Sequence, residues 1–274
     1  MKIVVDALHF TYPSGVEALR GVSLTIEPGE QVALVGQNGS GKTTLVKHLN
    51  GLLRPTQGRV WVGDWDAAQM PVAKLARRVG YVFQNPDEQL FSRSVGAEVA
   101  FGPRNLGFSA DRIAKQVAWA LEMTALTAHK DTNPYDLSPT WRKMVALAAV
   151  IAMDTPIVVF DEPTTGQDAA GVARIARVIA ALRAKGRTVI TITHDIDFCA
   201  ENFERVIALA QGQVLLDGPA REVLAQEEAL ARTYVDPPQL ARLAKQLGLP
   251  VVPLNQEEFL AAYRQSQKLS NLHG

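Results

Sequence analysis

The stretch Gln31-Val32-Ala33-Leu34-Val35-Gly36-Gln37-Asn38-Gly39-Ser40-Gly41-Lys42-Thr43-Thr44 decides the fold. Its first five residues read as a buried strand running into glycine, and Thr43 to Leu53 reads as the helix behind it. Between them, Gly36 to Thr43 fits G-x-x-x-x-G-K-[ST], in the strand–loop–helix context that a phosphate-binding loop needs. The glycines let backbone N–H groups wrap phosphates without Cβ clashes. The helix N-terminus adds positive partial charge. Lys42 is expected to reach the β- and γ-phosphates of a nucleoside triphosphate, and the Thr43 hydroxyl to ligate magnesium. The expected nucleotide-binding set is Gly36, Gln37, Asn38, Gly39, Ser40, Gly41, Lys42, Thr43 and Thr44.

Further along, Ile157-Val158-Val159-Phe160-Asp161-Glu162 is an apolar strand that ends in two acids. Four consecutive β-branched or aromatic residues suit a strand buried on both faces. Asp161 at its carboxyl end would sit beside the phosphate loop and hold magnesium. Glu162 would then polarise a water for attack on the γ-phosphate.

Short strands and helices alternate around these two segments. Val79 to Phe83 and Thr188 to Thr193 read as strands, Met144 to Met153 and Asp168 to Lys185 as helices, and Val95 to Leu126 as helix-rich. Val206 to Asp217 reads as a hairpin turning at Gln211-Gly212. The expected fold is α/β: a mainly parallel sheet covered on both faces, with an added antiparallel layer at the N-terminus. Beyond Pro237-Pro238, Gln239 to Leu247 reads as an amphipathic helix, and Gly248 to Leu254 as extended. Asn255 opens another helix with Glu258 in capping-box position.

Composition narrows the function classes. The chain has 274 residues and equal numbers of basic and acidic side chains, 28 each, so no global charge draws it to nucleic acid or anionic lipid. The single cysteine, Cys199, cannot form an internal disulfide and reads as a small core residue. The longest apolar run, Met144 to Met153, is half of the roughly 20 residues that a spanning helix needs. The start Met-Lys-Ile-Val-Val-Asp meets charge too early for a signal peptide. The short basic clusters Arg77-Arg78 and Arg183 to Arg187 are expected to be solvated faces.

In this order, the residues resemble the ATP-binding-cassette ATPases over about residues 1 to 230. The resemblance implies that Gln84 is the glutamine-loop residue, a catalytic contact and a magnesium ligand. It implies that Ser138, in Leu137-Ser138, opens the signature segment. Asp161 and Glu162 match the Walker B acids, Asp168 the D-loop, and His194 the switch histidine. Tyr12 matches the aromatic that stacks on adenine, although a place at the core edge stays open for it. The implied ligands are ATP and Mg2+.

A narrower resemblance is to the ATPases of energy-coupling-factor transporters. It rests on Gln84-Asn85-Pro86-Asp87-Glu88-Gln89-Leu90-Phe91, on Glu98 to Gly107, and on Pro237 to Leu243. It implies a peripheral motor on the cytoplasmic face of the cell membrane that powers uptake of a vitamin or transition-metal ion. The implied partners are a second ABC ATPase subunit, a transmembrane coupling subunit and a membrane substrate-binding subunit. The coupling subunit would dock near Gln84, Asp87, Glu88, Leu90 and Phe91. The implied domains are 1–230, with a helical subdomain inserted at about 90–153, and a helical extension at 231–274 for dimerisation. The ATPase of a conventional ABC transporter and a soluble cassette ATPase remain the alternatives.

The resemblance breaks at one place. Where the family reads Leu-Ser-Gly-Gly-Gln, then two residues and then Arg, this chain reads Leu137-Ser138-Pro139-Thr140-Trp141-Arg142-Lys143-Met144. Pro139 has no N–H to offer an anion, and Thr140 adds a Cβ where close approach favours glycine. Ser138 still suits the helix N-cap and Pro139 its first position. The expectation is an asymmetric heterodimer, in which the partner supplies the full signature.

Overall fold

Alternating side chains on the central strands divide the interior into two cores. The computed structural model describes residues 1–270. β1 (Ile3–Thr11), β2 (Glu17–Ile26), β4 (Gln57–Val62) and β5 (Trp65–Asp66) form an antiparallel sheet in the order β2-β1-β4-β5. β3 (Gln31–Val35), β6 (Val79–Val82), β7 (Ile157–Asp161), β8 (Thr188–Ile192), β9 (Arg205–Ala210) and β10 (Gln213–Pro219) form the other, in the order β10-β9-β3-β8-β7-β6. Only β10 runs antiparallel in that sheet. Val32, Leu34, Tyr81, Val159 and Ile192 face the core shared with the antiparallel sheet. Ala33, Val35, Val82, Phe160 and Val189 face the core under the helices. A strand with both faces covered carries apolar residues without alternation, as β3 and β7 do.

The helices are α1 (Lys42–Leu49), α2 (Val72–Leu75), α3 (Val95–Asn105), α4 (Ala110–Met123), α5 (Pro139–Ile151), α6 (Ala169–Ala184), α7 (Ile196–Asn202), α8 (Ala220–Leu224), α9 (Glu227–Ala231), α10 (Gln239–Gln246) and α11 (Gln256–Ser270). α1 ends four residues before the sequence reading places its end, because Gly51 enters the left-handed region at φ 75°. α5 begins five residues earlier than Met144, at the Ser138-Pro139 start signal. The β9–β10 hairpin turns as expected at Gln211 and Gly212, both with positive φ, which matches strand twist. Asn255 and Glu258 make the expected cap. Asn255 Oδ1 accepts from the Glu258 N–H at 2.9 Å, and Glu258 accepts from the Leu254 N–H at 3.0 Å.

Two of the expected solvated arginines have structural work instead. Arg78 lies over the Trp65 ring at 3.3 Å and donates to the Val62 carbonyl at 2.6 Å. Arg187 pairs with Asp154 at 2.6 Å. Cys199 is fully buried, and burial pushes its thiol pKa up. No helix among the described residues is long and apolar enough to cross a membrane.

Several hydrogen bonds and ion pairs tie the C-terminal segment to the body. Among them, the Gln37 N–H donates to the Thr233 carbonyl at 2.9 Å, the Gln239 N–H to Asp197 at 2.8 Å, and Arg221 grips both Glu258 oxygens at 2.9 Å.

Phe160 is fully buried one residue before Asp161. Truncating it to alanine should cost about 3–5 kcal/mol of stability, read by chemical denaturation. A loss under 1 kcal/mol would show that this core collapses around the gap.

Candidate functional site: a phosphate loop facing two strand-end acids

Parallel register brings the expected residues together. Leu34 pairs with Ile192, Asp161 with Ile192, and Val82 with Phe160. Extending each strand by its own register puts Val35, Gln84, Glu162 and Thr193 on one level, with Gly36 and His194 one residue beyond. In open α/β sheets, ligands bind in the crevice outside the carboxyl ends of such strands.

The loop after β3 needs its glycines. A Cβ on Gly36, at φ 139°, would lie 2.2 Å from the Leu209 carbonyl oxygen. One on Gly41 would lie 2.7 Å from the Ala18 oxygen. At Gly39 the same direction is open space, the side on which an anion can approach. Lys42 is turned into the loop, where its Nζ donates to the Gly36 carbonyl (2.7 Å), the Gln37 carbonyl (2.9 Å) and Ser40 Oγ (3.3 Å). Burial lowers its pKa, while the negative charges of Glu162 and Asp161 pull the other way. Ser40 is buried, its hydroxyl is held inside the loop by Lys42, and its N–H donates to the Gln37 carbonyl at 3.1 Å.

The acids are fixed from several sides. Asp161 Oδ1 accepts from the Thr43 hydroxyl at 3.3 Å, and Oδ2 from the Tyr81 hydroxyl at 2.7 Å. A hydroxyl beside a carboxylate is the hard-oxygen set that magnesium takes when phosphates and waters complete its shell. Burial, reinforced by the Asp161 charge, pushes the Tyr81 phenol pKa well up. Glu162 adopts φ 49°, a left-handed conformation that costs a non-glycine residue about 1–3 kcal/mol. Its N–H donates to the Ile192 carbonyl at 2.9 Å, and its carbonyl accepts from Lys143 Nζ at 2.8 Å. Its Oε2 lies 2.8 Å from His194 Nδ1. Lys143 also reaches the Thr165 carbonyl at 2.9 Å. Burial lowers the Lys143 pKa, against the pull of Glu162 and Asp161.

A cavity of about 320 Å³ is lined by Tyr12, Val16, Lys42, Thr43, Gln84 and Asp161, among others. A neighbouring one of about 620 Å³ carries Asn38, Glu162, His194 and the C-terminal Tyr234. Tyr12 sits at the core edge, one of the two places left open for it, and also borders the first cavity. It packs edge-to-face on Phe10 at 4.8 Å and shares a 2.9 Å hydrogen bond with Thr44. That bond engages the Thr44 hydroxyl within the chain. Asp168 likewise uses its carboxylate to cap α6, accepting from the Gly171 N–H at 2.7 Å.

The degenerate signature folds onto its own chain. Thr140 Oγ1 donates to the Gly166 carbonyl at 3.2 Å, and Gln167 donates back to the Thr140 carbonyl at 3.3 Å. The guanidinium of Arg174 lies 4.9 Å from the Trp141 ring centre. Met144, where the family has arginine, is buried in the helical core. Ser138 stands at the N-cap of α5 as expected, but its hydroxyl caps no N–H.

Two docking expectations need correction. Leu90 is 3% exposed, covered by its own core and not by a partner. Asp87 is paired with Arg142 at 2.7 Å, so it is not a free acid awaiting a partner's base. Phe91 does stand exposed, edge-on to Phe101 at 4.7 Å. Three residues of the site escape the sequence reading. Val16 looks like an ordinary loop residue ahead of β2, Tyr81 like an ordinary strand residue, and Lys143 like a surface charge on an amphipathic helix.

A sheet flanked by helices, a glycine loop turned on its lysine and strand-end acids facing that loop define a P-loop NTPase. The chain belongs to the ATP-binding-cassette family: residues 19–165 match the ABC transporter family. It is 41% identical to a putative ABC transporter ATP-binding protein of Methanosarcina acetivorans over 91% of its length, yet spans only 41% of that longer relative. It is 39% identical to the energy-coupling factor transporter ATP-binding protein EcfA of Methanothermobacter thermautotrophicus, covering 88% of this chain and 78% of that one. Among solved structures, cbiO1 of Clostridium perfringens, part of the ABC transporter complex cbiONQ, superposes with a TM-score of 0.75 at 35% identity. That match covers 90% of this chain and 98% of cbiO1. The chain therefore carries an ABC-type ATPase domain, the kind of domain that binds ATP.

Replacing Lys143 by methionine strips the hydrogen bonds from two carbonyls at the Glu162 turn. The variant should lose about 1–3 kcal/mol in thermal or chemical unfolding. Unchanged stability would mean that the turn holds itself.

Proposed function

We propose that this chain is the ATP-hydrolysing subunit of an importer of the energy-coupling-factor type, working against a second, non-identical ATPase. The observation that carries the hydrolysis half is the convergence of Lys42, the Thr43–Asp161 pair and the Glu162–His194 pair at the ends of adjacent parallel strands. The likeness to EcfA and to cbiO1 supports the importer half. A vitamin or a transition-metal ion is the proposed class of cargo, chosen by a separate membrane subunit.

In this reading the residues have distinct tasks. Backbone N–H groups between Gly36 and Thr44 that are not already bonded within the chain, as those of Gln37 and Ser40 are, cradle the phosphates, and Tyr12 faces adenine. Lys42 exchanges the loop carbonyls for β- and γ-phosphate oxygens. Thr43 and Asp161, with Gln84, hold magnesium, which when bound neutralises charge on the phosphates. Glu162 accepts a proton from the attacking water, and His194 orients the Glu162 carboxylate. Asp168 keeps the D-loop in shape through its cap.

Residues 1–230 make the ATPase unit, with the helical part at about 90–153. Residues 231–274 hold two ATPases together, and the partly exposed Leu243, Leu247, Leu260 and Tyr263 support that assignment. The exposed Phe91–Phe101 pair, with Gln84 and Glu88 nearby, is the proposed seat of the transmembrane coupling subunit. That subunit holds the chain at the cytoplasmic face of the membrane. Opposite the loop, Pro139 and Thr140 weaken the cap given to the partner's ATP, which is the ground for a heterodimer.

Two measurements test this. Glu162→Gln should leave ATP binding intact and slow turnover by roughly 10²–10⁴-fold in the assembled transporter. Unchanged turnover would remove Glu162 as the base. The chain alone should hydrolyse ATP poorly and gain activity when a partner ATPase with an intact signature is added. Strong hydrolysis by the isolated chain would overturn the asymmetry. Recovery of the chain in ribosomal or nucleoid fractions, and not with solubilised membrane subunits, would overturn the importer assignment.

A further inference from the structure

We infer that Tyr81 is a positioning residue for the magnesium site: it locks the Asp161 carboxylate so that one oxygen alone is presented to the metal. The inference rests on the proposed magnesium role of Thr43 and Asp161 and adds a residue to it.

The geometry comes from the sheet. Tyr81 on β6 pairs with Val159 on β7, two residues before Asp161. Residues two apart on a strand share a face, so Tyr81 and Asp161 look into the same side of the sheet. A long aromatic side chain can bridge such a diagonal pair across neighbouring strands. The tyrosine hydroxyl donates to Asp161 Oδ2 at 2.7 Å. Both side chains are almost wholly enclosed, Tyr81 at 7% and Asp161 at 3% exposure. The ring is held edge-to-face by Phe83 at 4.8 Å, so the hydroxyl has little freedom to turn away.

This divides the carboxylate. Oδ2 is engaged from the buried side, and Oδ1 points toward the Thr43 hydroxyl at 3.3 Å. A carboxylate held by a donor on its far oxygen keeps its rotamer, as metal ligands held by outer-shell partners do. Phenylalanine at position 81 would fill the same space, yet leave a buried oxygen without a donor. Asp161 would then rotate, and the metal would lose a preformed ligand. Nucleotide held without metal relies on the loop and Lys42, which Tyr81 does not touch.

The test uses the whole chain with Mn2+ as the metal probe. Mn2+ affinity is measured by electron paramagnetic resonance in the presence of ADP, and metal-free ADP binding by calorimetry in EDTA. Tyr81→Phe should weaken Mn2+ binding by roughly tenfold or more, with metal-free ADP binding unchanged. A double-mutant cycle completes the test. Once Asp161→Asn is present, adding Tyr81→Phe should cost nothing further in Mn2+ affinity. Equal Mn2+ affinity in wild type and Tyr81→Phe would overturn the inference. So would a parallel loss of metal-free ADP binding, which marks a purely structural role, or full additivity with Asp161→Asn. If wild-type ADP binding ignores Mn2+ altogether, the magnesium reading itself fails, and this inference falls with it.

Discussion

The parallel pairing of β3, β8, β7 and β6 is the constraint on which the rest of the structure depends. Each of these strands has one set of side chains in one core and the next set in the other. A slip of one residue would exchange the two sets and drive small residues such as Ala33 into space built for Leu34. The register is therefore held by both cores at once. The same register brings Gly36, Gln84, Glu162 and His194 to one end of the sheet, so packing that stabilises the fold also aligns the chemistry.

A second constraint acts within the site. Glu162 sits in a backbone conformation that disfavours it. Bonds from β8, from Lys143 on α5 and from His194 hold it there. Because Lys143 belongs to the helix opened by the altered signature, that segment is joined to the Glu162 turn without the family's glycines. The reciprocal bonds between Thr140 and the Gly166-Gln167 turn make the same link from the other side. The altered signature is thus integrated into its own fold.

Much of this was legible in the sequence because its signals are local. The phosphate loop announces itself through glycine spacing between a strand and a helix. Asp161 and Glu162 stand out as polar residues at the end of an apolar run, and Gln211-Gly212 marks its turn through residue type. The parts that escaped are those set by distant contacts. Tyr81 reads as one more β-former until β7 is laid beside it, and Lys143 reads as a surface lysine until its carbonyl partners, 19 and 22 residues away, fold against it. Leu90 looked like a docking residue because the loop around it is polar. The core that covers it comes from helices further along the chain, just as the partner of Asp87 lies 55 residues away at Arg142.

The central claim is that these strand ends form one working triphosphate site. The most direct test is a crystal structure of the chain with a non-hydrolysable ATP analogue and magnesium. The account predicts that Lys42 Nζ leaves the Gly36 and Gln37 carbonyls for phosphate oxygens, with the metal between Thr43 and Asp161 and the terminal phosphate facing Glu162. A triphosphate bound outside the loop, with Lys42 still bonded to the Gly36 carbonyl, would contradict it.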